Sequence, residues 1–264
     1  MPDLPLLLAP DEPAAFEILN PTAAGPWVLT CDHASNRIPR ALGTLGLTQS
    51  DLTRHIAWDI GMAGVTRALA AHLDAWSILQ NYSRLVIDCN RHPGYPTSIP
   101  IISERTEIPA NKNLPPDAAT QRRRDIFAPY HTAIAAHLDA RAAAGRPTLF
   151  VALHSFTPIY DGARRAMHAG VLYNRDTRLA HALLHGLRAE LNLIVGDNEP
   201  YAVTDDSDYG VNIHGAARAL PHVEIEIRQD LVADAVGQGA WAERLARLLP
   251  TAMEEIEGRK NVLF

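Results

Sequence analysis

The chain is poor in cysteine and lysine. Only Cys31 and Cys89 occur among 264 residues. A secreted disulfide scaffold packs several pairs into a much shorter chain, so that class is excluded. Each cysteine ends an apolar run and reads as a buried free thiol. Lysine occurs only as Lys112 and Lys260, so nearly all basic charge is arginine, a bias that base composition of the genome explains. The formal net charge is −6, with both signs spread along the chain. A nucleic-acid footprint needs a basic excess or stripe, and there is neither. No apolar run approaches a membrane span. Near the start only Leu4 to Ala9 is apolar, interrupted by Pro5, which is too short for a secretory leader. A soluble, cytoplasmic protein is expected. A G-x-S-x-G elbow is also missing, which argues against Ser155 or Cys89 as a nucleophile.

What is present is enough apolar content, 47%, for one sizeable core. A single domain over residues 1–264 is expected. Short runs rich in Val, Ile and Leu predict strands at 27–31, 76–80, 84–89, 148–153, 170–173 and 222–227. Apolar residues at helical spacing predict helices within 48–73, 116–143, 176–191 and 238–249. Strands alternating with helices imply an α/β sheet covered on both faces. Residues 91–116 carry Pro93, Pro96, Pro100, Pro109, Pro115 and Pro116 and read as a long, functional loop.

In such sheets ligands bind beyond the carboxyl ends of the strands. The exits here are polar. "VLTCDH" delivers His33, "RLVIDCNR" delivers Asp88, Asn90 and Arg91, and "LFVALHS" delivers His154 and Ser155. "HVEIEIR" puts Glu224 and Glu226 on one side of a strand. Taken singly, either histidine reads as a satisfied core residue. Together they suggest a metal, since catalytic zinc takes three protein ligands and keeps a position open. Asp59 in "HIAWDIG" is the preferred third ligand, with His55 as its rival. Glu226, or else Glu224, is the expected general base for a metal-activated water. Arg91 with Asn90 suits a substrate carboxylate, because guanidinium grips it bidentately. Arg84 suits the same role or a salt bridge to Asp88. His214 is a further catalytic candidate. Asn111, Ser103 and Glu104 lie in the proline-rich loop and are candidates to close over the substrate.

The motifs "CDHASNRIP", "AWDIG", "YSRLVIDCNR", "ISERTEIPAN", "LHSF" and "VEIEIRQDL", in that order, resemble the N-formylglutamate amidohydrolase family over roughly residues 16 to 250. The order of groups is also similar to the wider zinc carboxypeptidase-like group. The resemblance implies a three-layer α/β/α sandwich with a mixed sheet, of the phosphorylase/hydrolase-like kind. It implies Zn2+ on His33, Asp59 and His154, with iron, cobalt or manganese able to use similar ligands. It implies Glu226 as acid and base, and Arg84, Asn90 and Arg91 on a carboxylate. The implied activity is hydrolysis of an N-formyl or other N-acyl amino acid such as N-formyl-L-glutamate. Where histidine-degrading members read "PHLG" or "PHAG", this chain reads "DHAS", which resembles the family's stand-alone branch and leaves the acyl group open. Two other functions fit the same residues. One is a zinc peptidase or deacylase acting on another carboxylate-bearing substrate. The other is a non-catalytic protein binding an acidic metabolite.

Overall fold

A computed structural model describes residues 5–261. Its strands are β1 (Phe16–Leu19), β2 (Trp27–Cys31), β3 (Trp76–Gln80), β4 (Ile102–Ser103), β5 (Thr106–Glu107), β6 (Leu149–Phe156), β7 (Ile159–Tyr160), β8 (Ala163–Arg164), β9 (Ala169–Leu172), β10 (Val195–Asp197) and β11 (His222–Arg228). The α-helices are α1 (Gln49–Leu52), α2 (Met62–His72), α3 (Pro116–Arg122), α4 (Ala128–Ala143), α5 (Arg178–Arg188) and α6 (Ala235–Asn261). Seven strands form one sheet in the order β1-β3-β2-β6-β11-β9-β10. The central four, β3, β2, β6 and β11, are parallel. β1 and β9 run antiparallel to their inner neighbours, which makes the sheet mixed. β4–β5 and β7–β8 are separate two-stranded hairpins.

Buried strands with apolar residues on both faces need a cover on each side. One face packs Leu29, Cys31, Val151, Leu153 and Ile225 against α2, α5 and α6. Helix α5 shows why it lies there: Leu179, Leu183, Leu184 and Leu187 recur at helical spacing and are all buried. The other face packs Val28, Ile78, Phe150 and Ala152 against α4 and the segment 82–89. The result is the expected α/β/α sandwich. Among the described residues no helix is long and apolar enough to cross a membrane.

Three local expectations are corrected. The stretch 48–73 is not one helix. α1 stops after four residues, and Asp59 lies in the turn that leads to α2. Gly61 caps α2 at φ 85°, and a Cβ there would meet Val232 O at 2.1 Å. Only glycine fits that position. The run 84–89 is not a strand but a chain of turns. Its apolar side chains are buried, as a strand's would be, yet its backbone is held by side chains and not by a ladder. Asn111 Nδ2 donates to Leu85 O, Arg122 Nη1 to Val86 O and His131 Nε2 to Cys89 O. Finally, the helical stretch 116–143 runs through a π-turn at Arg123–Phe127, just before Pro129. Proline has no N–H to continue an α ladder, and a wider turn absorbs the defect.

Candidate active site

The polar exits meet at one end of the parallel strands. His33 follows β2, and His154 and Ser155 lie near the C-terminal end of β6. Glu224 and Glu226 project from β11, where Glu226 is the register partner of His154. Asp59 is drawn in by its backbone: its N–H donates to His33 O at 2.9 Å. The segment 84–91 supplies Arg84, Asp88, Asn90 and Arg91.

His33, Asp59 and His154 form a buried group, with one ligand-type atom from each lying within 4.8 Å of the others. His33 Nδ1 is 3.3 Å and His154 Nδ1 2.9 Å from the same oxygen, Asp59 Oδ2. Ligands bonded to zinc at about 2.0–2.1 Å in tetrahedral array lie roughly 3.3 Å apart, so the spacing suits such an ion. The surroundings suit a cation too. Asp32, Asp59, Asp88, Glu224 and Glu226 are all buried here. Glu226 Oε2 and Asp32 Oδ2 are buried and accept no hydrogen bond among the described residues. A buried carboxylate without a partner costs free energy that a nearby cation relieves. His55, the rival ligand, does not join the group; its Nε2 lies 3.6 Å from Glu104.

Charge is displaced accordingly. Burial would raise the Asp59 carboxyl, but His33 and His154 outweigh it and hold Asp59 far below the usual range. Burial would lower His154, but Glu224 and Asp59 hold it well above its usual value. Burial pushes Glu226 up to about 8 and Glu224 up to about 7, with neighbouring carboxylates adding to the rise for each.

The group opens onto a cavity of about 400 Å³ that Arg84, Asn90, Arg91, Ser103, Glu104 and Glu226 help to line. Arg84 is largely engaged: Nε and Nη2 donate to Asp88 Oδ2, and Nη1 reaches Asp59 Oδ1 at 3.5 Å. Arg91 uses only Nη1, on Asn90 O, Ser207 O and Asp208 Oδ1. Asn90 accepts from the N–H groups of Tyr209 and Gly210 and donates to Glu224 at 3.3 Å. Two expected site residues lie elsewhere. His214 stacks on His131, its Nε2 2.9 Å from His131 Nδ1, and does not line the cavity. Asn111 is buried against Leu85, Pro100 and Arg122 and does not line it either. Tyr160, Tyr201 and Asp208 line the cavity and carried no sequence signal, because nothing in their local pattern marks them. Asp88 was visible as a strand-end acid, but its bond to His33 Nε2, at 2.7 Å, was not.

A sandwich of this kind, with a potential metal-holding His–Asp–His group at the strand ends and a carboxylate-rich cavity above it, is the frame of a hydrolase. The chain belongs to the N-formylglutamate amidohydrolase family, whose model matches residues 25–233. The crystal structure of gene product Atu2144 from Agrobacterium tumefaciens is similar at 38% identity and a TM-score of 0.92, over 95% of this chain and 99% of that one. N-formylglutamate amidohydrolase from Ralstonia eutropha JMP134 shares the fold at 20% identity and a TM-score of 0.65, over 93% and 99%. None of the curated proteins matches significantly.

Proposed function

We propose that the chain, acting as one domain over 1–264, is a metal-dependent amidohydrolase. Its substrate is an N-formyl or other N-acyl amino acid such as N-formyl-L-glutamate. The observation that carries this reading is the convergence of His33 and His154 on one oxygen of Asp59, beside the unpartnered Glu226 Oε2. His33, Asp59 and His154 would hold a divalent ion, zinc foremost. When bound, that ion supplies Lewis-acid polarisation of the scissile carbonyl and makes water more acidic.

The chain's own residues do the rest. Arg91 keeps its Nε and Nη2 edge clear of hydrogen bonds to described residues, and that edge receives the substrate carboxylate. Arg84 adds positive potential to the same wall, while its hydrogen bonds stay with Asp88 and Asp59. Asn90, held by Tyr209 and Gly210, keeps this wall in register with Glu224. Glu226 takes a proton from the attacking water as its oxygen bonds to the acyl carbon. It returns that proton to the leaving nitrogen as the C–N bond breaks, and the remaining water proton passes to the freed amine, so the products are the acyl group's carboxylate and the amino acid with its ammonium group. Burial and the carboxylates of Asp59 and Glu224 raise Glu226 in the metal-free site, and a cation on His33, Asp59 and His154 would favour the ionised form that takes the proton.

The test pairs elemental analysis of untagged protein with release of glutamate from N-formyl-L-glutamate. About one zinc per chain and turnover abolished by a chelator are the expected results. Folded protein that takes up no divalent metal would sink the reading.

A further inference from the structure

His154 turns one ring nitrogen toward the ligand group and the other away from it. Nδ1 lies 2.9 Å from Asp59 Oδ2. Nε2 has no hydrogen-bond partner among the described residues, although the residue is only 3% exposed. The acceptors behind it are Asp32 Oδ2 at 3.8 Å and Glu224 Oε2 at 4.0 Å. Glu224 Oε2 already receives Asn90 Nδ2. Asp32 Oδ2 receives no hydrogen bond from the described residues, and Asp32 is 1% exposed. Two buried, unpartnered and complementary atoms therefore stand opposite each other, and each costs free energy while unpaired.

Asp32 is itself firmly placed. Its Oδ1 accepts the Tyr130 hydroxyl from α4. On the other side the backbone of Gly210 comes so close that a Cβ there would lie 3.2 Å from Asp32 Oδ2. The free oxygen is thus confined between Gly210 and the His154 ring. A shift of about 1 Å brings the 3.8 Å approach to hydrogen-bond length.

We propose that Asp32 is a positioning residue for His154: it accepts the Nε2 proton, so that the Nδ1 lone pair faces Asp59 and His33. This rests on reading those three residues as metal ligands. An imidazole can ligate through Nδ1 only when the proton sits on Nε2, and an acceptor behind Nε2 favours that tautomer and fixes the ring plane. The adjacent pair Asp32-His33 then serves both histidine ligands, one as the ligand itself and one as the support of the other.

The experiment measures zinc affinity of the full chain by chelator competition, together with the absorption bands of the cobalt-loaded protein. Wild type is compared with Asp32→Ala, Asp32→Asn and the double variant Asp32→Ala/Tyr130→Phe. The double variant removes the hydroxyl that Asp32→Ala orphans, which protects folding. Zinc affinity should fall roughly 10- to 100-fold in both alanine variants. Asp32→Asn, which keeps an acceptor, should lie closer to wild type. The cobalt bands should shift in the alanine variants. A merely structural role would lower the apo melting temperature and leave affinity and bands alone. Folded alanine variants with wild-type affinity and bands overturn the proposal and leave the ligand reading standing. A wild-type chain that takes up no metal overturns the ligand reading first, and this proposal with it.

Discussion

Glu226 and His154 are register partners on adjacent parallel strands, so their side chains emerge side by side on the same face of the sheet. Neither can leave the other's neighbourhood without breaking the β6–β11 ladder. Removing the charge of Glu226 while keeping its shape should therefore isolate its proton-transfer role. Glu226→Gln should retain metal and fold, and should lose about 10²- to 10⁴-fold in kcat. Turnover within a few-fold of wild type, by glutamate release, would end the base assignment.

His33→Ala and His154→Ala each remove one arm of the ligand group. Both should purify with far less than stoichiometric metal and should lose activity together with it. Added zinc should restore wild type after chelation but neither variant. Elemental analysis beside the activity assay reads this directly. A variant with full metal content would mean that its histidine is no ligand.

Arg91 and Arg84 should separate kinetically. Arg91→Met removes the wall's open hydrogen-bonding edge and should raise KM for a carboxylate-bearing substrate by at least about tenfold. An N-formyl amine without a carboxylate should be unaffected. Arg84→Met instead strips Asp88 of two donors and should weaken metal binding through His33. Equal KM effects on both substrates would remove Arg91 from carboxylate recognition.

Asn111 should behave as a structural residue. Its side chain satisfies Leu85 O and Pro100 O and accepts from Arg122, which is 1% exposed. Asn111→Ala should cost about 2–4 kcal/mol of stability by orphaning these groups. KM should stay within roughly twofold at temperatures where the variant is folded. Denaturant unfolding and steady-state kinetics on one preparation decide it, and a raised KM with unchanged stability would contradict it.

The His131–His214 pair should set an acid limit on stability. Burial holds His131 well below the ordinary histidine range and pushes His214 down to about 4; Arg218 adds to the fall at His214 and Asp139 opposes it. Between pH 6.5 and 4 the unfolded chain binds protons that the native pair refuses. Stability contributed above pH 6.5 is therefore lost as pH falls through this window. For His214 alone the full loss is roughly 3 kcal/mol. Urea midpoints at pH 7 and pH 5 should differ less in His214→Gln than in wild type. Identical slopes would show that the pair does not carry the effect.

The sequence announced the sandwich and the ligand candidates because both follow from local pattern. β2, β6 and β11 are apolar runs that end in acids and histidines, and a core strand seldom bears such groups without a use for them. It misreported 84–89 because an apolar run looks the same whether its backbone bonds to a neighbouring strand or to Asn111, Arg122 and His131. Those partners come from distant parts of the chain. His214 misled for a related reason: its partner, His131, sits 83 positions earlier on α4, and only the tertiary fold shows that the two satisfy each other. The edge strands β1 and β10, four and three residues long, were too short to register against the loops around them.

The turn-built segment 84–91 has one more consequence. The sheet carries His154 and both glutamates, but the cavity wall at Arg84, Asn90 and Arg91 lies outside its hydrogen-bonded ladder, held by side chains and turn bonds. Substitutions at Arg91 can reshape that side of the cavity without shifting the register of any strand. Changes at Arg84 or Asp88, by contrast, reach His33 through the bond from its Nε2 to Asp88. One end of this loop thus shapes the cavity, and the other end steadies a candidate metal ligand.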